Sequence, residues 1–439
     1  MKKAMTCLAL GGVAMVAGGS WFVNQVPYSP LADAPVDPSP ALIAKGEYVA
    51  RLGDCVACHS VAGSPPFSGG LEMATPMGSI FATNITPDKR TGIGNYSLAD
   101  FDRAVRQGVA ADGHRLYPAM PYPSFAKLSD DDIKALYAFF MKGVTPADVP
   151  NKQSDIPWPL NMRWPLALWN AAFVDADPYQ AKTGRDEQWN RGAYIVQGPG
   201  HCGSCHTPRS ITMNEKALDE RSTAYLSGAL IDGWYAPSLR QDPNHGIGRW
   251  SEPEIVQYLK TGRNVHSVVT GSMTEAFNNS TQYMSDNDLG AIAHYLVSLP
   301  GNGNDGPRWT PSSAPVAWTS PGAKTYLAKC SSCHGQEGQG QGQWIPPLAG
   351  ASSSMVNESA TGINATLNGS DRVVTGGVPD AYRMPPYRNQ LTDQEIAEVL
   401  TFVRSTWGNQ GDAVEEKEVR ELRDKTDPAS PDPIILQMR

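Results

Sequence analysis

Cys55-Val56-Ala57-Cys58-His59, Cys202-Gly203-Ser204-Cys205-His206 and Cys330-Ser331-Ser332-Cys333-His334 are one five-residue pattern written three times in a chain of 439 residues. They hold six of the seven cysteines; the seventh, Cys7, lies near the start. From the composition, roughly 0.002 such patterns are expected by chance, so three copies are a repeat. Two thiols followed at once by an imidazole match covalent attachment of haem. Each thiol forms a thioether with a vinyl group, and the histidine is held beneath the iron. A zinc site would need further ligands at finger-like spacing, and His114, His201, His245, His266 and His294 form no such pairs. A redox dithiol would be a single Cys-x-x-Cys without the trailing histidine. Three covalent haems c are therefore expected.

Working outward, each motif sits in the same surroundings. A Gly and a Tyr precede it on a short helix: Gly46/Tyr48, Gly192/Tyr194 and Gly322/Tyr326. In the first copy Tyr48, Val49, Leu52, Cys55 and Val56 fall on one helical stripe. Downstream, Gly92-Ile93-Gly94-Asn95-Tyr96-Ser97 and Gly246-Ile247-Gly248-Arg249-Trp250-Ser251 each open a helix, with Asp100 and Glu254 completing capping boxes. Those helices end at Gly108 and Gly262. A closing helix follows in every copy, capped by Ser129/Asp132, Ser285/Asp288 and Thr392/Glu395, with Leu128, Met284 and Leu391 in the staple position. No run of alternating strand pattern stands out. The architecture expected is mainly α, with long loops covering haem.

The sixth iron ligand is sought among fourteen methionines, so position decides. Met120 lies twelve residues after Gly108, just before a closing helix, and Met384 lies similarly ahead of Leu391. In the second copy Met273 lies eleven residues after Gly262, whereas Met284 already has a packing role; His266 is the remaining rival. A His/Met pair raises the iron's potential, which suits an electron carrier. Met73, Met77, Met141 and Met355 read as core or loop. Each proximal histidine should give its other N–H to a carbonyl or carboxylate, and Pro346-Pro347-Leu348 is the expected source for His334. Tyr96, Trp250 and the Asn84-Ile85-Thr86 loop are candidates both for haem contact and for core packing.

A formal net charge of −8 argues against nucleic acid as a partner. Met1-Lys2-Lys3 and the apolar run Ala4–Val23 read as an export signal or an N-terminal membrane anchor; the clear small-x-small site, Ala32-Asp33-Ala34, lies well downstream. The expected organisation has seven parts. Signal or anchor plus linker cover 1–40, and haem domains cover 41–144, 179–300 and 322–410. A Pro/Trp-rich connector covers 145–178, a linker 301–321 and a charged tail 411–439. The connector carries Pro157, Trp158, Pro159, Trp164, Pro165 and Trp169, enough aromatic surface to expect packing against a neighbouring domain or subunit.

Over nearly the whole exported length the chain resembles the tri-haem cytochrome c subunits of membrane-bound bacterial dehydrogenases. These serve flavin-dependent gluconate, sorbitol and fructose enzymes and quinoprotein alcohol dehydrogenases. The resemblance rests on Lys45–Arg51, Thr83–Asp88, Tyr117–Pro123, Gly200–Gly203, His206–Arg209 and Pro347–Gly350. It implies three tandem class I cytochrome c-like domains with iron ligands His59/Met120, His206/Met273 and His334/Met384. It also implies a place at the periplasmic face of the bacterial inner membrane. There a separate catalytic subunit carrying FAD or PQQ, with a small third subunit, oxidises a sugar, sugar acid or alcohol, and electrons pass to ubiquinone. Some relatives end in a membrane helix; Asp412–Arg439 is instead charged and Pro-rich, which shifts the expected anchor to the N-terminus. No catalytic residue is expected in this chain, since no Gly-x-Gly-x-x-Gly follows a strand. Two other readings are a subunit of a molybdenum aldehyde dehydrogenase and a haem peroxidase. The second would need an open sixth position, against which three candidate methionines argue.

Overall fold

The computed structural model describes residues 25–303, 305–430 and 436–438. Cys7 and the apolar run 4–23 lie outside them. Among the described residues no helix is long and apolar enough to cross a membrane. The chain divides into two compact units: residues through Ala50 with Cys58–Gln180, and Arg51–Ala57 with Ala181–Leu436.

Helices dominate. The first copy contains α1 (Pro40–Leu52), α2 (Cys55–His59), a hairpin of β1 (Glu72–Thr75) and β2 (Gly78–Phe81), α3 (Leu98–Gln107), the single turn α4 (Tyr122–Phe125) and α5 (Asp130–Ala138). The connector holds α6 (Pro165–Phe173). The second copy repeats the plan with α7 (Glu187–Gln197), α8 (Gly203–His206), β3 (Ala229–Ile231) paired with β4 (Trp234–Ala236), α9 (Glu252–Thr261), α10 (Ser272–Asn279) and α11 (Asp286–Val297). The third has α12 (Pro321–Lys329), α13 (Ser331–His334), α14 (Ser352–Met355), α15 (Ala360–Asn368), β5 (Val374–Thr375) with β6 (Val378–Pro379), and α16 (Asp393–Ser405). The helix α17 (Glu416–Lys425) follows.

The caps explain where these helices start. Ser97 N donates to Asp100 at 2.9 Å and Ser251 N to Glu254 at 2.7 Å, as the sequence foretells. Ser129, Ser285 and Thr392 accept the N–H groups of Asp132, Asp288 and Glu395, each at 3.2 Å. Each bond satisfies a donor that has no partner inside its helix.

The glycine before each motif marks a helix crossing. A Cβ on Gly46 would lie 1.9 Å from the Ala135 carbonyl oxygen, one on Gly192 2.0 Å from that of Ala291, and one on Gly322 2.1 Å from that of Glu398. Opening and closing helices thus pack backbone to backbone at equivalent points of all three copies, and only glycine fits there. Gly192→Ala forces the helices apart and is expected to cost about 2 kcal/mol. Urea denaturation of the haem-loaded protein checks this; an unchanged midpoint would deny the close approach.

Three features differ from expectation. Two-stranded hairpins appear where the sequence reads as loop, because strands of two to four residues are too short for alternation to register. The turn Asp232-Gly233, with φ of 49° and 77°, makes β3–β4 close tightly. The stretch expected as a plain linker over 301–321 is packed in place. Asn244 donates to the Asp305 and Pro307 carbonyls at 2.7 and 2.8 Å, and Trp309 Nε1 donates to the Trp407 carbonyl at 3.2 Å. The tail over 411–439 holds α17, whose Val419 is fully buried against α16 while Arg423 Nε pairs with Asp393 at 2.7 Å.

The second and third copies also share a seam. Tyr235 N donates to the Thr361 hydroxyl at 2.9 Å, Val374 N to Asn278 at 2.8 Å, and Gln282 Nε2 to the Val374 carbonyl at 2.8 Å. Arg263 and Asp380 form a nearly buried ion pair across it.

Candidate haem sites

Each motif forms a short helix that ends on its histidine, and in each copy that histidine is tied to a distant backbone carbonyl. His59 Nδ1 lies 2.7 Å from the Thr83 oxygen, His206 Nδ1 2.7 Å from the Pro237 oxygen, and His334 Nδ1 3.0 Å from the Pro346 oxygen. A carbonyl only accepts, so Nδ1 carries the proton and Nε2 keeps its lone pair. Burial lowers the pKa of all three imidazoles, with the backbone hydrogen bond opposing it, so each stays neutral at physiological pH. A neutral imidazole, oriented through one nitrogen and free at the other, is what an axial iron ligand requires.

The carbonyl at Pro346 is the one expected from sequence. Those at Thr83 and Pro237 were not foreseen. They follow β2 and β4, so the unforeseen hairpins are what carry these carbonyls back to their histidines. A backbone oxygen leaves no residue-type mark; the readable trace was the Asp232-Gly233 turn.

Three of the motif thiols are held in their neutral form by burial. Burial pushes Cys202 up to about 12 and Cys205 and Cys330 up to about 11, so these groups stay protonated. Among the described residues no group of three His, Cys, Asp or Glu could hold a metal ion.

In the second unit one cavity of about 1440 Å³ is lined by Cys202, Cys205, His206 and Met273, and also by Cys330, Cys333, His334 and Met384. It exceeds the ~300–1,000 Å³ usual for one small-molecule site. Two attachment motifs opening into one apolar space suit two flat macrocycles held by covalent bonds.

Candidate sixth ligands are placed as follows. Met273 stands in the first turn of α10, partly buried against Val269, Phe277 and Val373. Met284 also reaches the cavity, but it is 3% exposed in the core ahead of α11. His266 lines the same cavity but is tied to its wall: its Nε2 lies 3.2 Å from Glu254, and its ring stacks on Trp250 at 5.3 Å. Met384 sits on a loop clamped by Ser370, whose hydroxyl accepts the Met384 N–H at 3.0 Å and whose N–H returns to the Met384 oxygen at 3.1 Å. Met120 closes a turn from Tyr117, and its carbonyl accepts the Tyr122 N–H at 2.8 Å. Asn84 is absorbed in structure: its Nδ2 donates to the Ala147 and Val149 carbonyls at 2.7 and 3.2 Å, and its Oδ1 accepts from Thr86.

Comparison with known proteins agrees with this geometry. Residues 319–407 match the cytochrome c family. The gluconate 2-dehydrogenase cytochrome c subunit of Pantoea cypripedii is 46% identical over 435 residues, covering 96% of this chain and 95% of that protein. The cytochrome c subunit of the quinone alcohol dehydrogenase of Gluconobacter oxydans (strain 621H) is 46% identical over 404 residues, covering 90% and 84%. The fructose dehydrogenase cytochrome subunit of Gluconobacter japonicus is 37% identical over 423 residues, covering 89% and 85%. With covalent haem c as its cofactor and electron transfer as its work, the chain belongs to the family of cytochrome c subunits that serve bacterial gluconate, alcohol and fructose dehydrogenases.

Proposed function

We propose that this chain is a three-haem electron conduit of three tandem class I cytochrome c-like domains, with iron ligands His59/Met120, His206/Met273 and His334/Met384. It takes electrons from a catalytic subunit carrying FAD or PQQ and delivers them to ubiquinone at the periplasmic face of the inner membrane. The observation that carries this is the threefold recurrence of a neutral histidine tied through Nδ1 to a backbone carbonyl beside its own Cys-x-x-Cys pair.

Bound haem supplies a one-electron couple. The chain's own residues do the rest. The cysteines would fix each macrocycle, the Thr83, Pro237 and Pro346 carbonyls orient the imidazoles, and in the second unit a largely apolar cavity wall would face the macrocycles. A methionine as second ligand beside a hydrogen-bonded histidine would raise the potential of the bound group. The shared cavity of the second and third motifs supports direct exchange between those two centres. Substrate chemistry, on a sugar acid in the gluconate-type reading, belongs to the partner.

Met273→Leu should lower the potential of one haem and remove its methionine charge-transfer band in the near infrared, leaving the other two unchanged. Met284→Leu should leave all three bands. Loss of the band in Met284→Leu instead would reassign the ligand. Purification of the native complex tests the wider reading: a co-purifying flavoprotein with a small third subunit is expected, and a molybdenum subunit would contradict it.

A further inference from the structure

The connector turns an apolar face outward. Between Asp155 and Asp175 the sole charged residue is Arg163. That guanidinium points inward, lying 3.6 Å from the Tyr117 ring centre and donating to the Arg115 carbonyl at 3.0 Å. Along α6 the residues Trp164, Leu168, Ala171 and Ala172 share one stripe, and that stripe is exposed, with Trp164 at 51% and Leu168 at 52%. Trp158, at 77%, and Leu160 extend it. The opposite side of α6 is the one that packs: Ala167 is buried, and Trp169 meets Tyr122 at 6.1 Å. A helix on a water-facing surface carries its apolar stripe inward. Here both sides are apolar.

The start of the described chain bears on what covers this face. Arg115 Nη2 donates to the Gln25 carbonyl at 2.7 Å, and Gln107 Nε2 to the Tyr28 carbonyl at 3.2 Å. The same two residues hold the connector, Arg115 through Arg163 and Gln107 through its own carbonyl, which accepts from Asn170 Nδ2 at 2.9 Å. The chain therefore enters its folded unit inside the hydrogen-bond network that seats α6. Directly upstream lies the apolar run Ala4–Val23, about the length that spans a bilayer. Ser29 and Leu31 are built into the core, Ser29 through a 2.6 Å bond to Asp102, so cleavage at Ala32-Asp33-Ala34 would strip out part of the fold.

We infer that the face formed by Trp158, Leu160, Trp164 and Leu168 lies on the lipid bilayer, its indoles at the headgroup level. Tryptophan with aliphatic neighbours and no outward charge is the composition of an interfacial contact. The inference deepens the membrane placement proposed above. It does not depend on haem ligation.

The test uses the native complex in nanodiscs of phosphatidylethanolamine and phosphatidylglycerol doped with a phosphatidylcholine whose acyl chain carries a photoactivatable diazirine. Adducts are mapped by mass spectrometry. Adducts within 157–172 are expected, falling about tenfold or more in Trp164→Ser/Leu168→Ser while the haem spectrum is retained. Adducts confined to residues before Gln25 would overturn the inference and leave the membrane placement standing. Adducts nowhere in the chain would overturn both. Protection of 157–172 by another subunit, seen as labelling only after that subunit is removed, would overturn the inference in favour of a protein contact.

Discussion

A chain carrying Cys202→Ser and Cys205→Ser is expected to mature with two haems and to bring quinone reduction by its partner dehydrogenase down to background. The second motif shares its cavity with the third, so losing its macrocycle leaves that common space half filled and the conduit interrupted. The helix crossing at Gly192 and the bond from the His206 imidazole to the Pro237 carbonyl involve neither cysteine, so the protein should still fold around the remaining centres. Substrate oxidation with an artificial acceptor that meets the catalytic subunit directly should persist. Quinone reduction at the parental rate would mean that the second haem lies off the route.

Arg404→Met is expected to destabilise the third copy by about 4 kcal/mol. Arg404, 3% exposed on α16, donates to five backbone carbonyls. Its Nε reaches Asp412 at 2.8 Å. Its Nη1 reaches Ser353 and Glu358 at 2.9 and 3.2 Å, and its Nη2 reaches Val356 and Asn357 at 2.7 and 3.0 Å. Methionine fills similar space but leaves those oxygens without partners, and a buried acceptor left bare costs more than a hydrogen bond yields. Arg404→Lys should fall between the two, since an ammonium has three donors and no planar fork. Urea denaturation of the three proteins reads the order. A methionine variant within ~1 kcal/mol of the parent would show that the segment 353–358, the end of α14 and the turn after it, holds its shape without the arginine.

What the sequence could and could not disclose follows from how locally each feature is encoded. Caps are written in two residues three apart, so Ser97/Asp100 and Thr392/Glu395 were readable and are found bonded. The repeated Gly before each motif announced a constraint, though only the fold shows it to be a helix crossing. Cys-x-x-Cys-His is local too, and alone it carries the expectation of haem attachment. The Thr83 and Pro237 carbonyls could not be read, because every residue has a carbonyl and only the hairpin path brings these two home. The linker over 301–321 misled for the converse reason. Gly, Asn and Pro speak of turns, while its anchors, Asn244 and Trp407, are more than sixty residues away from their partners Asp305 and Trp309. In the tail, charge masked a helix whose Val419 and Leu422, three residues apart, face α16. The connector's tryptophans were expected to pack against a neighbouring domain or subunit; within this chain Trp169 packs on Tyr122, and Trp158 and Trp164 stand exposed.

The central claim is that each of the three cysteine pairs carries haem. Intact-mass measurement of the mature protein, exported from cells with a working cytochrome c maturation system, addresses it most directly. The account predicts a mass above the bare polypeptide by three haems, unchanged in acid and organic solvent, together with sharp visible bands on reduction. A mass equal to the polypeptide alone, or bands extracted with the solvent, would contradict it.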